Sequence, residues 1–197
     1  MTTSTRSSRH ARAAYRCAQA SAVLVGFATA ASLVATPVAG ASSAPKSSVG
    51  ICGKISTASV SAIVGYKLPA PSADTLTLPA TTKNDEISSV VTSCTYGSET
   101  SLAALPKDVI IDYAVTSRPL TAAELKKGLA QAQQLKMTFV PYGGLGVKAY
   151  YYSFTESGIT IQGLTGFEGT KEFGASTYSK HTSKSQLASL VRLAEKL

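Results

Sequence analysis

The hydrophobic pattern that organises the chain lies at Val147–Phe167, which reads VKAYYYSFTESGITIQGLTGF. Two runs rich in aromatic and β-branched residues, Val147–Phe154 and Ile159–Leu164, flank the polar segment Thr155-Glu156-Ser157-Gly158. That pattern predicts a β-hairpin, with the glycine supplying the positive φ of the return. Period-two alternation recurs at Ser89–Tyr96, where Val90, Thr92, Cys94 and Tyr96 share a face. It is clearer at Val109–Val115, with Val109, Ile111, Tyr113 and Val115 expected inward. A further strand is expected at about Lys171–Tyr178, and Thr75–Leu78 is a candidate short edge strand.

Helical spacing marks three other segments. Ser56 can cap the first, Ile55 and Val60 form a hydrophobic staple, and Gly65 closes it. The second carries a capping box, Thr121 with Glu124, and a staple, Leu120 with Leu125. Leu125, Leu129, Ala132 and Leu135 then form one apolar face, with Lys126 and Lys127 on the solvated side. The third opens on Ser183 with Gln186 and buries Leu187, Leu190, Val191 and Ala194. The resulting order, α-ββ-α-βββ-α, lacks the strict alternation of a parallel sheet. It predicts an α+β fold: an antiparallel sheet of about five strands with three helices packed mostly on one face. Tyr66–Glu86, interrupted by Pro69, Pro71 and Pro79, reads as a long loop.

The N-terminus changes the domain picture. Arg6, Arg9, Arg12 and Arg16 precede an uncharged, alanine-rich run, Ala18–Ala35, and a small-x-small site at Ala39-Gly40-Ala41. This is the layout of a signal peptide over 1–41, cleaved after Ala41, with an uncleaved anchor as the alternative. Residues 42–50 are a flexible lead-in, and 51–197 form a single domain. The chain carries 19 Lys+Arg against 11 Asp+Glu; without the four leader arginines the balance is 15 against 11, or +4. Those charges are scattered, so a nucleic-acid partner is not expected. Cys17 leaves with the leader, and Cys52 and Cys94 remain as an even pair in an exported domain. A disulfide between them is expected, with two buried free thiols as the alternative.

Candidate chemistry is sparse. Gly144-Leu145-Gly146-Val147-Lys148-Ala149 has the letters of a dinucleotide fingerprint, but a helix precedes it and a strand follows, the reverse of the required context. Beyond the leader there is one histidine, His181, and no nucleophile elbow or clustered metal ligands. Asp108 and Asp112 lie about 13 Å apart along a strand, too far for a two-carboxylate pair. No catalytic residue, cofactor or metal is therefore expected. Aromatic residues concentrate around Tyr142, Tyr150, Tyr151, Tyr152 and Phe154, next to Gly143, Gly144 and Gly146. Glycines permit close backbone approach, and tyrosines supply rigid area with a hydroxyl, so Tyr142, Gly143, Gly144, Gly146, Tyr150 and Tyr152 are the candidate ligand-binding set. Core packing is the competing role for these rings.

A short helix after a cysteine, Ser93-Cys94-Thr95-Tyr96, a capped central helix, and Gly144-Leu145-Gly146 running into Ala149-Tyr150-Tyr151 together resemble small exported actinobacterial cell-envelope proteins. Many of these are lipoproteins of uncharacterised function; this chain lacks a lipobox cysteine. The resemblance implies a compact α+β domain outside the membrane and assigns no catalytic residues. The expected function is a secreted, monomeric, non-catalytic domain of the envelope or cell wall that binds a partner protein or a small envelope ligand. The alternatives are an enzyme inhibitor acting through the 66–86 loop, or an unrecognised hydrolase.

Overall fold

The computed structural model describes residues 50–78, 87–97, 107–156, 159–179 and 181–197. The leader 1–41, the lead-in up to residue 49, positions 79–86 of the long loop and the Ser157-Gly158 return lie outside the described residues. A 3-10 turn, Ile51–Lys54, leads into α1 (Thr57–Val64). Three strands follow, β1 (Ser72–Leu78), β2 (Ser89–Tyr96) and β3 (Val109–Thr116), then α2 (Ala122–Gln134). Four more strands, β4 (Thr138–Pro141), β5 (Lys148–Glu156), β6 (Ile159–Glu168) and β7 (Lys171–Thr177), precede α3 (Lys184–Ala194).

The fold is α+β with an antiparallel sheet, but the sheet has seven strands rather than about five, in the order β1-β2-β3-β7-β6-β5-β4. The two additional strands are its edges. β1 extends the Thr75–Leu78 candidate back to Ser72 and pairs with β2 along its whole length. β4 is four residues long and ends on Pro141, a residue that edge strands tolerate because they leave donors unused. Edge strands carry the weakest periodicity, since one flank lacks a partner and little of the surface is buried.

Antiparallel partners point to the same side of a sheet. Ala73, Cys94, Ile111, Ala175, Leu164, Tyr151 and Val140 therefore form one row across all seven strands. α1 and α3 pack over this face, joining Val60, Leu187, Leu190 and Val191 to Cys94, Ile111, Leu164 and Phe173 in the main core. α2 lies over the other face, where Ala132 meets Met137, Phe139 and Tyr152. Two of the three helices thus share a face.

Both capping boxes form as the sequence implies, at Thr121–Glu124 and Ser183–Gln186. Ser56 caps α1, and Gly65 closes it at φ 82°. Two inward assignments are corrected. Leu135 is 61 % exposed, because α2 ends at Gln134 and Lys136 turns the chain at φ 62° before the residue reaches the buried stripe. Val115 is 41 % exposed and pairs with Val90, itself 45 % exposed, on the face that carries α1 and α3. Cys52 and Cys94 are disulfide-bonded, with Cα atoms 5.5 Å apart. Tyr96 donates its hydroxyl to Ile55 O (3.0 Å) and Gln186 Nε2 donates to Ile63 O (2.9 Å), so β2 holds the turn just before α1 and α3 holds α1 itself.

Candidate functional site

The face beneath α2 carries two polar rows. Lys148, Phe167, Glu172 and Ala114 stand side by side on β5, β6, β7 and β3. Tyr150, Thr165, Gly174, Asp112 and Ser93 form the next row. Asp112 and Glu172 are buried, at 5 % and 4 % exposure, although alternation alone reads their positions as the solvent side. Asp112 Oδ1 accepts from Ser93 Oγ at 2.6 Å.

Between the first of these rows and the start of α2 lies a cavity of 180 Å³, walled by Leu120 and Leu125 on one side and Phe167 and Glu172 on the other. Lys148 and Lys171, both exposed, also line it. The Phe167 ring is held edge-on to Tyr150, with centroids 6.4 Å apart. Thr116 closes one end: its hydroxyl lies 2.8 Å from Arg118 O and 2.9 Å from Thr170 O, fastening the β3–α2 loop to the β6–β7 turn. The α2 side is fixed by a fork of Arg118 on Glu124, with Nη2–Oε1 at 2.7 Å and Nη1–Oε2 at 3.0 Å. Glu124 Oε2 also accepts from the Thr121 N–H and hydroxyl, both at 2.8 Å. Arg118 above all, with the Thr121 bonds, holds the Glu124 carboxyl down at about 2.

Glu172 is the chemically distinctive group. Its Oε1 accepts from Thr165 Oγ1 at 3.1 Å, while Oε2 is buried and has no hydrogen-bond partner. Burial pushes its carboxyl up to about 8; the Thr165 bond opposes this and the nearby Asp112 adds to it. The side chain is therefore mainly neutral near pH 7. With Thr165 on one oxygen and no accessible surface on the other, the carboxyl lies behind the cavity wall. Asp112 does not line that space, so the two carboxyl groups are not presented to a ligand together.

The six residues singled out from the sequence do not share a surface. Tyr142 is half-buried and packs with Leu145 and Val147 against the main core, on the α3 side. Its ring lies over Gly144, where a Cβ would come within 2.7 Å of it, and Gly144 O accepts from Arg192 Nη2 at 2.9 Å. Gly143 has open space above its Cα, and Gly146 sits at φ 79°, so these glycines shape the turn. Tyr150 faces the opposite way, against Phe167 at the cavity wall. Tyr152 is 1 % exposed, stacked on Phe139 at 5.5 Å, and offers no surface to a partner. Tyr151 donates to Gln162 Oε1 at 2.9 Å and lies under Lys184 Nζ, 4.5 Å from the ring centroid.

Glu172, Phe167, Lys148 and Lys171 were not legible as a site. Their one sequence signal is an acidic residue at the second position of a strand, Lys171–Thr177, that is otherwise uncharged after Lys171. Among the described residues no three His, Cys, Asp or Glu side chains cluster to hold a metal, and no helix is long and apolar enough to cross a membrane. Compared with known proteins, the chain matches no family model, no curated protein and no solved structure.

Proposed function

We propose that this is a secreted, non-catalytic cell-envelope domain that binds a small ligand in the cavity beneath α2. The observation that carries the reading is a 180 Å³ space walled by Leu120, Leu125 and Phe167, with Lys148 and Lys171 exposed at its rim. Export is supported by the Cys52–Cys94 bond, a feature of oxidising compartments, together with the signal-peptide layout of 1–41. An inhibitor role is less favoured, because Ser72–Leu78, a third of the 66–86 segment it would present, is committed to pairing with β2.

The test is a thermal-shift screen of small single-ring and short-acyl compounds on the protein and on two plugged variants, Leu120→Trp and Lys148→Trp. Both substitutions fall on partly or fully exposed cavity residues, so the fold should survive them. Some members should raise the melting temperature of the protein and lose that effect in both variants. Stabilisation that persists undiminished in the plugged variants, or a screen with no stabilising member, overturns the reading.

A further inference from the structure

The lining of the cavity restricts what it can hold. Its 180 Å³ is close to the roughly 150 Å³ of an engineered apolar cavity that admits one benzene, so the buried part of an occupant is one ring or one short branched chain. Leu120, Leu125 and Phe167 suit such an apolar body. Among the described residues, the charged or ionisable side chains lining the space are Lys148, Lys171 and Glu172. The two lysines are exposed at its rim, and Glu172 is buried inside. An unpaired carboxylate is disfavoured there, so Glu172 offers no counter-charge to a cation. A cationic ligand would meet two ammonium groups, and a neutral one would leave both lysines unused.

We infer that the occupant is a small carboxylate with a ring-sized apolar body, its anionic head held by Lys148 and Lys171. The inference rests on the ligand-binding reading above and adds the charge of the ligand to it.

Three probes with one body and different heads separate the two ideas: benzoate, benzyl alcohol and benzylamine, titrated into the ¹⁵N-labelled protein at neutral pH. Benzoate should move the amide signals of Phe167, Gly169 and Glu172 and bind at least tenfold tighter than benzyl alcohol, with benzylamine weakest. The double variant Lys148→Met, Lys171→Met should erase benzoate's advantage and leave the affinity for benzyl alcohol unchanged; both residues are exposed, so folding is not at stake. If all three bind alike at those amides, the cavity reading stands and the carboxylate inference falls. If none moves those amides, both fall.

Discussion

At the scale of single residues, one physical ambiguity limits what is legible. Alternation tells which residues of a strand share a face; it does not tell whether that face meets water. Asp112 and Glu172 alternate with apolar neighbours as surface residues do, yet both lie under 6 % exposure. Tyr152 was legible only as a large ring with two possible roles. Across the β5–β6 pair it faces Gly163, where a Cβ would lie 2.4 Å from the ring carbon that bears the hydroxyl. The glycine is a seat for the ring, and that decides for core. Glu172 makes a prediction of definite sign. Its carboxyl rises from an ordinary 4.5 to about 8 in the folded protein, with Asp112 facing it from β3 and Lys148 and Lys171 at the rim. Between those values the folded state holds a proton that the unfolded chain has lost, so stability falls as pH rises through the window. The contribution is fully present below pH 4.5 and gone above 8. Urea denaturation at pH 5 and pH 8.5 should register a loss on the order of a few kcal/mol at the higher pH. Glu172→Gln, neutral throughout, should remove most of that slope; an unchanged slope would show that some other group sets it.

At the scale of elements, what is encoded locally was legible and what depends on neighbours was not. Caps are local, and Ser56, Thr121 and Ser183 all accept the backbone N–H three residues on. Helix ends are less local: the stripe through Leu125, Leu129 and Ala132 continued on paper to Leu135, but Lys136 at φ 62° ended it. Edge strands β1 and β4 gain definition from pairing with β2 and β5, which no short window contains. The best-determined element is the start of α2, and its determinants are separable. Glu124 closes the capping box and takes the Arg118 fork, with its side chain 24 % exposed. Solvent screening discounts the ion pair, so the cap should dominate. Glu124→Ala is expected to cost about 1–2 kcal/mol near pH 7. Here the sign is opposite to that of Glu172. A carboxyl held down at about 2 contributes fully above 4.5 and loses its contribution as pH falls through 2. The gap between the protein and the variant in urea should narrow steadily from pH 5 to pH 2.5. A gap independent of pH would assign the loss to packing rather than to the charged cap.

At the scale of the whole molecule, the fold class follows from element order, but strand order does not. β7 returns to the middle of the sheet between β3 and β6, and this insertion brings Glu172 beside Ala114, while its pairing with Phe167 is a hairpin contact of consecutive strands. A reading in chain order gathers Lys148, Phe167, Lys171 and Glu172 on consecutive hairpins but keeps them apart from Thr116, Leu120 and Leu125, so half of the cavity's wall has no trace in the sequence. The covalent link was legible because counting cysteines requires no topology. Its structural reason becomes clear only from the packing. α1 is eight residues long, about two turns, and such a helix does not persist alone in water. It buries Val60 and Val64 in the main core and is held by the Tyr96 and Gln186 hydrogen bonds. The disulfide adds a tether just upstream, closing a loop across 42 residues between Cys52 and Cys94. In the chain-entropy description a loop of that length is worth about 4 kcal/mol. The variant Cys52→Ser, Cys94→Ser should therefore lose up to about that amount in urea denaturation. The loss should also be uneven. Hydrogen exchange should accelerate most in Ile51–Val64, where the tether was, and least in β6 and β7, which are paired on both sides. In the unaltered protein, alkylation under native, non-reducing conditions should leave Cys52 and Cys94 unmodified. Free, alkylatable thiols there would refute the bond. Uniform acceleration across α1 and the central strands would keep the bond but refute its role as a local anchor for α1.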